Sequence, residues 1–341
     1  MSKMNNFKVV IASLVFSLFA VSCTSKSPTE YLLRGETMGT SYSVKLVSDQ
    51  SRSSAEIASL KESIDRALKQ VDRLMSTYRN DSEVSQINQL AVNQSLKVSP
   101  QTFEVLSEAL RISKLSDGFF DITVGPLVDL WGFGPKFRTD FAPKSSQIAS
   151  AKKQVNWRAI SLAGQNFTKS ELVEIDLSAI AKGYAVDRVA LALESAGVKN
   201  YLVEVGGEIS VMGHNKFHKE WVLGIERPNI VGRKAYTTLN LSGNSLATSG
   251  DYRNYYEKDG HRYSHTIDPQ TGYPVEHNLA SVSVISNTCM EADALATALM
   301  VMGERKGYEF ALKQGINAYF IYRKQDAYEF IYTPGFKPFL N

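Results

Sequence analysis

Apolar residues recur along the chain with two different spacings, and each spacing predicts one kind of secondary structure. From Thr40 to Val47 the apolar positions alternate with polar ones, which predicts a half-buried β-strand. Ser53 and Glu56 have the spacing of a capping box, which predicts the start of an α-helix. The apolar residues that follow share one face of this helix: Ile57, Leu60, Ile64, Leu68, Val71 and Leu74.

The same two spacings predict the remaining elements. Helices are predicted from about Thr102 to Ser116, from about Ser178 to Gly197, and from the capping box at Thr288 to Met302. Strands are predicted at Leu172–Leu177, Tyr201–Val205, Trp221–Glu226, Ala235–Leu241 and Ser281–Ser286, with a turn at Asp259-Gly260 and a final hairpin of Ala318–Tyr322 and Tyr328–Thr333. Because strands mostly follow strands, we predict an α+β fold of mostly antiparallel sheets with packed helices.

The N-terminus has the pattern of an export signal. Lys3 and Lys8 precede an apolar run, Val9–Val21, that is shorter than the ~20 residues of a membrane-spanning helix. Small residues then lead to Cys23, as in lipoprotein signal peptides, although an ordinary signal peptide cleaved nearby is an alternative. The predicted division is a signal peptide at 1–22, a lipidated Cys23 and tether at 23–30, and one domain at 31–341.

Composition and charge indicate a globular protein and exclude one class of partner. Hydrophobic residues make up 43% of the chain and charged residues 21%, as in globular proteins. Loss of residues 1–22 removes two lysines and no acid, so the net charge falls from +3 to +1. Without a basic tract we expect no nucleic-acid partner. A chain anchored through Cys23 would lie on the periplasmic side of a bacterial membrane, and Cys289, the other cysteine, leaves no internal disulfide.

A carboxylate and a hydroxyl lie one turn apart in the helix predicted after Thr288. Asp293 and Thr297 share a helix face, and hard oxygen ligands of this kind suit Mg²⁺. The alternative is an aspartate favoured by the helix dipole beside a buried threonine. We expect Asp293 to be a surface residue of the helix, outside the core.

Residues 174–184 predict a helix start that could bind an anion. A strand is predicted to end at Asp176, Ser178 is positioned to cap the next helix, and Lys182 adds a cation. The free N–H groups of a helix start suit phosphates. A capped helix with a surface lysine is the alternative, but it gives no reason for Asp176.

A histidine and an aspartate flank a turn of the Pro-x-x-Gly type. His265 and Asp268 are three residues apart beside this turn, and His265 could take a proton from a hydroxyl. Asp268 could orient the histidine or approach a metal. The alternative for His265 is an exposed loop histidine. The pair Gly206-Gly207 permits either close approach of the backbone to a ligand or a bulge.

Aromatic side chains cluster around the segment Asp121–Pro126 and could stack on a flat ring system. The cluster consists of Phe119, Phe120, Trp131 and Phe133. Simple core packing is the alternative, and Tyr78 has the same ambiguity.

The order of these motifs is more specific than any one of them. They are Glu36–Thr40, Ser76–Tyr78, Phe120–Leu127, Asp176–Tyr184, Val205–Glu208, Ser264–Gly272 and Glu291–Thr297. In this order they resemble the FAD:protein FMN transferases, the ApbE family, across about residues 31–338. The resemblance implies an ApbE-like α+β fold, related to tandem T-fold units. It also implies Mg²⁺-dependent transfer of FMN from FAD to a threonine or serine of a target protein, with release of AMP.

The resemblance assigns residues to these roles. The implied flavin contacts are Met38, Tyr78, Phe119, Phe120, Asp121, Asp176, Lys182 and Ile267. The implied Mg²⁺ ligands are Asp293, Thr297 and the backbone carbonyl of Ala179, and the catalytic candidates are His265 and Asp268. Ala296 stands where some relatives have aspartate, and Lys182 where others have glutamate.

The resemblance also implies the class of partner. Expected acceptors are subunits of the sodium-pumping NADH:quinone reductase or of related membrane electron-transfer complexes. Two other functions stay open. One is a hydrolase that splits FAD into FMN and AMP, and the other is a flavin-binding lipoprotein without turnover.

Overall fold

The structure, a computed structural model, describes residues 28–135, 143–228, 235–251, 255–258, 261–325 and 327–341. The predicted signal peptide, Cys23 and the Asp259-Gly260 turn lie outside these residues. The helices are α1 (Ser54–Met75), α2 (Glu83–Gln89), α3 (Pro100–Leu115), α4 (Gly125–Leu130), α5 (Ser145–Lys152), α6 (Ala181–Ser195) and α7 (Cys289–Gln314). In the described residues no helix is both long and apolar enough to cross a bilayer.

Eight strands form a central sheet in the order β1-β2-β6-β7-β10-β13-β14-β15, and all neighbours are antiparallel. The strands are β1 (Thr29–Thr37), β2 (Thr40–Ser48), β6 (Asn200–Val205), β7 (Glu208–Met212), β10 (Asn244–Gly250), β13 (Leu279–Ser286), β14 (Asn317–Lys324) and β15 (Ala327–Tyr332). The smaller sheets contain β3 (Ser95–Lys97), β4 (Ile160–Ala163) and β5 (Asn166–Lys169), then β8 (Trp221–Glu226) with β9 (Ala235–Leu241), and β11 (Tyr255–Lys258) with β12 (His261–Ser264). The predicted α+β class is confirmed, and β1 begins inside the predicted tether.

The central sheet is buried on both faces. In β2, Val44 and Leu46 point into the main core with α1, α6 and α7, whereas Val47 points into a second core beneath β8 and β9. The alternation predicted for this strand therefore separates two cores, because successive side chains of a strand point to opposite faces.

Helix α1 follows its sequence pattern closely. The Ser53 hydroxyl accepts a hydrogen bond from the Glu56 N–H at 3.3 Å, and the Glu56 carboxylate accepts one from the Ser53 N–H at 2.7 Å. This is the predicted capping box. The buried face consists of Leu60, Ile64, Leu68, Val71 and Met75.

The strand predicted at 172–177 was wrong. Val173, Ile175 and Leu177 are buried in alternation, but the side-chain amide of Asn88 pairs with this backbone where a strand partner would. Asn88 accepts from the Ile175 N–H at 2.7 Å and donates to the Ile175 carbonyl at 2.9 Å. The sequence pattern therefore reported burial rather than sheet pairing.

The predicted boundaries of the two helices near the site differ in part from the structure. Helix α6 begins at Ala181, and Ser178 does not cap it; instead the Ser178 N–H donates to the Asp176 carboxylate at 2.8 Å. Helix α7 is capped by Thr288 as predicted, but the Glu291 carboxylate accepts from Ser286 and does not close the capping box. Helix α7 was predicted to end at Met302. In the structure the helical backbone is interrupted at the next residue, Gly303, where φ is +78°, and α7 then continues.

Helices α6 and α7 pack closely against each other at Gly183. A Cβ atom there would lie 2.3 Å from the Cys289 carbonyl oxygen and 2.8 Å from the Asp293 Cβ. The Gly183 N–H donates to the Asp293 carboxylate at 2.9 Å. Glycine is required at this position because the neighbouring helix backbone occupies the space of a side chain.

We expect Gly183→Ala to lower the free energy of unfolding by about 1–3 kcal/mol, because overpacking against backbone forces the helices apart. Alanine is otherwise the better helix residue by roughly 1 kcal/mol, so the loss would run against helix propensity. Urea unfolding followed by circular dichroism measures this change. Ala192→Gly on the same helix is the control for propensity alone. Equal stability of Gly183→Ala and the wild type would contradict the contact's importance.

Candidate functional site

A cavity of about 960 Å³ opens between the central sheet, the start of α6, helix α7 and the turn after β12. Ten of the thirteen site residues predicted from the sequence line it: Phe119, Phe120, Asp121, Asp176, Ala179, Lys182, His265, Ile267, Asp293 and Thr297. These residues come from segments far apart in the chain, so the fold brings together most of the predicted site. Met38, Tyr78 and Asp268 are not among the lining residues.

The expectation that Asp293 is a surface residue was wrong. Its side chain is 3% exposed because α7 is enclosed by the sheet and α6, and its carboxylate accepts from the Gly183 N–H. The Thr297 hydroxyl lies one turn further on, 3.3 Å from the Ser249 hydroxyl. Ala179 lines the same cavity in the turn before α6.

This donor set fits a hard cation such as Mg²⁺, because a carboxylate, a hydroxyl and a main-chain carbonyl are all oxygen ligands. In the part of the chain that the structure describes, no three His, Cys, Asp or Glu side chains gather as a metal cluster. The metal ligand roles of these residues stay predictions.

An ion pair between Lys182 and Glu208 closes one side of the cavity. Glu208 is 2% exposed, and burial raises the pKa of its carboxyl even though the Lys182 ammonium opposes the rise. Burial alone would lower the pKa of Lys182, but the carboxylates of Asp293 and Glu208 outweigh it and raise the pKa. The sequence pattern assigns Glu208 no role, although this residue ends the motif Val205–Glu208.

The turn Gly206-Gly207 joins β6 to β7 at the cavity wall. Both residues have positive φ, +63° and +109°, which favours glycine. A Cβ atom on Gly206 would lie 3.0 Å from the Thr40 methyl and 3.4 Å from the Lys182 side chain. Neighbouring protein atoms therefore pack closely against this turn and set the shape of the wall, and a close approach of the backbone to a ligand stays a prediction.

Two aspartates shape the wall near the aromatic residues. Asp121 is 8% exposed, and burial raises its pKa against hydrogen bonds from the Thr123 hydroxyl at 2.6 Å and N–H at 2.8 Å. Burial also raises the pKa of Asp176, whose carboxylate accepts from the Ser178 N–H. Both carboxylates therefore fix local turns as well as lining the cavity.

The turn after β12 holds His265 against the cavity and directs Asp268 into the turn itself. The His265 ring meets the edge of Phe133 with centroids 6.3 Å apart. The Asp268 carboxylate accepts from the Gln270 N–H at 2.8 Å, and the Asp268 N–H donates to the Tyr273 carbonyl at 2.9 Å. Asp268 thus stabilises the segment that carries His265.

Met38 and Tyr78 lie outside the lining residues in different ways. Met38 forms the β1–β2 turn with φ +47° and is partly buried against the main core. Tyr78 is 71% exposed. Partial burial, followed by the charges of the Asp176 and Asp129 carboxylates, raises the pKa of Tyr78.

Asp187 is a further residue that the sequence did not identify. Its carboxylate, on α6, accepts from the N–H groups of Cys289 at 2.8 Å and Met290 at 2.9 Å, the first residues of α7. It therefore caps the helix that carries Asp293 and Thr297. Burial raises the pKa of Asp187 to about 6.

Comparisons with known proteins find a matching sequence family, similar proteins and a similar solved structure. A sequence model described as the ApbE family matches residues 38–320. The FAD:protein FMN transferase of Vibrio cholerae is 42% identical, covering 99% of this chain and 100% of that protein, and the one of Haemophilus influenzae is 41% identical, covering 94% and 95%. The solved structure of the flavin transferase ApbE from Vibrio cholerae matches with a TM-score of 0.85 and 40% identity, covering 92% of this chain and 100% of that one.

The raised pKa of Asp187 predicts a pH dependence of stability. An aspartate titrates near ~3.9 when unfolded, so the folded protein binds this proton more tightly. Relative to Asp187→Asn, the wild type should lose up to about 3 kcal/mol of unfolding free energy as the pH rises from about 4 to about 6, with no further change above that. Urea unfolding of both proteins across this range measures the difference, and parallel curves would contradict the prediction.

Proposed function

The chain belongs to the ApbE family and is a transferase, and we propose that it moves the FMN half of FAD to a threonine or serine hydroxyl of an acceptor protein, with Mg²⁺ and with release of AMP. The observation that carries this proposal is one cavity in which the Asp293–Thr297 oxygen pair, the Lys182 ammonium and the His265 imidazole converge. Relatives that match nearly the whole chain are named FAD:protein FMN transferases, which supports the same reaction.

In the proposed reaction the acceptor hydroxyl oxygen bonds to the FMN phosphorus, and the bond from that phosphorus to the bridging oxygen of AMP breaks. Bound Mg²⁺ would neutralise pyrophosphate charge and stabilise the leaving AMP. Asp293, Thr297 and the Ala179 carbonyl would hold it. Phosphoryl transfer needs positioning and charge more than a protein nucleophile.

The remaining roles follow from chemistry and position. Lys182 offers a cation toward the phosphates, while Phe119, Phe120 and Ile267 offer apolar walls for the flavin. His265 accepts the proton of the acceptor hydroxyl, and Asp268 positions it by bracing the turn.

We also propose that the chain is exported and lipid-anchored through Cys23 on the periplasmic side, where subunits of membrane electron-transfer complexes would be its acceptors. The support is the sequence pattern at residues 1–23.

The test is to incubate the protein with FAD, Mg²⁺ and a candidate acceptor domain and to weigh the acceptor. The acceptor should gain the mass of FMN, and AMP should appear. Free FMN and AMP without added mass would instead indicate a hydrolase, and unchanged FAD would indicate a binder.

Asp293→Asn tests the metal face better than alanine, because the asparagine oxygen can still accept from the Gly183 N–H. We expect transfer at limiting Mg²⁺ to fall by about 10²-fold or more, since the amide lacks the charge that holds a divalent cation. Asp81→Asn, at a side chain that is 70% exposed, is the matched control. An Asp293→Asn protein with a wild-type Mg²⁺ dependence would refute the assignment.

His265→Gln should slow transfer at saturating FAD by about 10²–10⁴-fold, the usual contribution of a general base. A general base acts only in its neutral form, so the wild-type rate should rise with pH as His265 loses its proton, and the variant should lose that rise. Turnover measured across pH with both proteins checks this. A variant that only binds FAD more weakly, with the wild-type pH profile at saturation, would show that His265 packs against the flavin instead.

A further inference from the structure

The loop between β7 and β8 presents an aromatic side chain to solvent between two lysines. Phe217 is 70% exposed, and Lys216 and Lys219 on either side of it are exposed as well. Neither the proposed reaction nor the cavity uses this loop, residues 213–220, which we call the Phe217 loop.

Hydrogen bonds within the loop hold this shape. The Asn215 side-chain oxygen accepts from the N–H groups of Phe217 at 2.9 Å and Lys219 at 3.3 Å, and its amide donates to the Glu220 carbonyl at 2.8 Å. The Asn215 N–H also donates to the Lys219 carbonyl at 2.8 Å. The exposed phenyl ring is therefore presented by a preformed turn, whereas an unconstrained apolar side chain would be free to fold back onto the protein.

The Phe217 loop lies at the end of the central sheet where the chain enters the domain. Strand β1 begins opposite the end of β2, and β7 ends opposite the start of β6, at that same end. The Lys216 ammonium lies 4.0 Å from the carboxylate of Glu30, the second residue of β1. The loop and the start of β1 are thus direct neighbours.

We propose that the Phe217 loop docks on the surface of the anionic phospholipid bilayer that holds the Cys23 anchor. This inference rests on the proposed lipid anchor. Six Cα–Cα steps join Cys23 to Thr29, so the start of β1 stays within about 20 Å of the lipid attachment. Phenylalanine rings bury at the boundary of headgroups and acyl chains, and each lysine near an anionic surface strengthens binding about fivefold, less the opposing charge of Glu30 and Glu220 beside Lys216 and Lys219.

Docking at this end points the reactive cavity away from the bilayer. Thr40, Ser41 and Gly206-Gly207 line the cavity at the opposite end of β2 and β6 from the Phe217 loop. The nine residues of β2 span about 26 Å at ~3.3 Å per residue. A docked protein would therefore react with a hydroxyl held at most about that far above the membrane surface, on a water-exposed part of the acceptor.

The test uses the full mature chain with Phe217→Trp, reconstituted in vesicles that carry brominated acyl chains. Tyr273→Trp, at an exposed residue of the turn near the cavity, is the matched probe, and the wild type supplies the background of its three tryptophans. With phosphatidylglycerol present, quenching of the Phe217→Trp indole should be at least about twofold stronger than that of the Tyr273→Trp indole. Adding Lys216→Glu and Lys219→Glu should remove most of this excess.

Equal quenching of the two probes would overturn the docking, and so would quenching that appears only when an acceptor protein is added, since the loop would then bind protein. The mass of the mature chain reports the anchor separately, and a chain without acyl mass overturns the premise and the docking with it. FMN transfer to a soluble acceptor domain should be unchanged by the two lysine substitutions. If the wild type transferred no FMN to this domain, the result would contradict the proposed reaction alone, because quenching is measured without FAD.

Discussion

The close contact of α6 and α7 at Gly183 is the constraint on which the site depends. Because no side chain separates the helices, the backbone N–H of Gly183 reaches the Asp293 carboxylate. One turn along α6, Asp187 reaches the first N–H groups of α7. The two helices are therefore fixed in rotation and in height, and this fixes Asp293 and Thr297 relative to Lys182. A side chain at position 183 would push the helices apart and move Asp293 and Thr297 away from Lys182.

The same contact concentrates carboxylates in a small volume. Glu208 and Asp293 are nearly inaccessible, and both act on Lys182, whose ammonium pairs with Glu208. Buried charges are stable only when paired, and one ammonium cannot fully compensate two carboxylates. A divalent cation on the Asp293 face would complete the balance, and it would leave Lys182 available to a phosphate. The proposed metal would therefore lie beside a pair of buried carboxyl groups that share one ammonium.

What the sequence predicted well was local or strongly periodic. Helix α1, with its capping box, and the strand at β2 depend on neighbours within a few residues. The segment at 172–177 was misassigned because alternating burial arises there from Asn88, which lies 87 positions away from Ile175. Asp293 was placed on a surface because two residues on one helix face cannot reveal that the helix is enclosed on all sides. Glu208 and Asp187 were missed for a related reason, since their partners lie 26 and 102 positions away and leave no spacing signal.

The predicted residues that line the cavity were assigned from the order of the motifs along the chain. The fold explains why that order identifies residues of one site. Six of the seven motifs contribute lining residues, including those before α6, between β6 and β7, after β12 and in the first turns of α7, whereas Ser76–Tyr78 contributes none. The β1–β2 and β6–β7 turns lie at the same end of the central sheet, so these two motifs, distant in sequence, meet there. The start of β1 and the Phe217 loop lie at the opposite end of the sheet. The start of β1 and the Gly206-Gly207 wall of the cavity therefore lie at opposite ends of the central sheet, separated by the length of its strands.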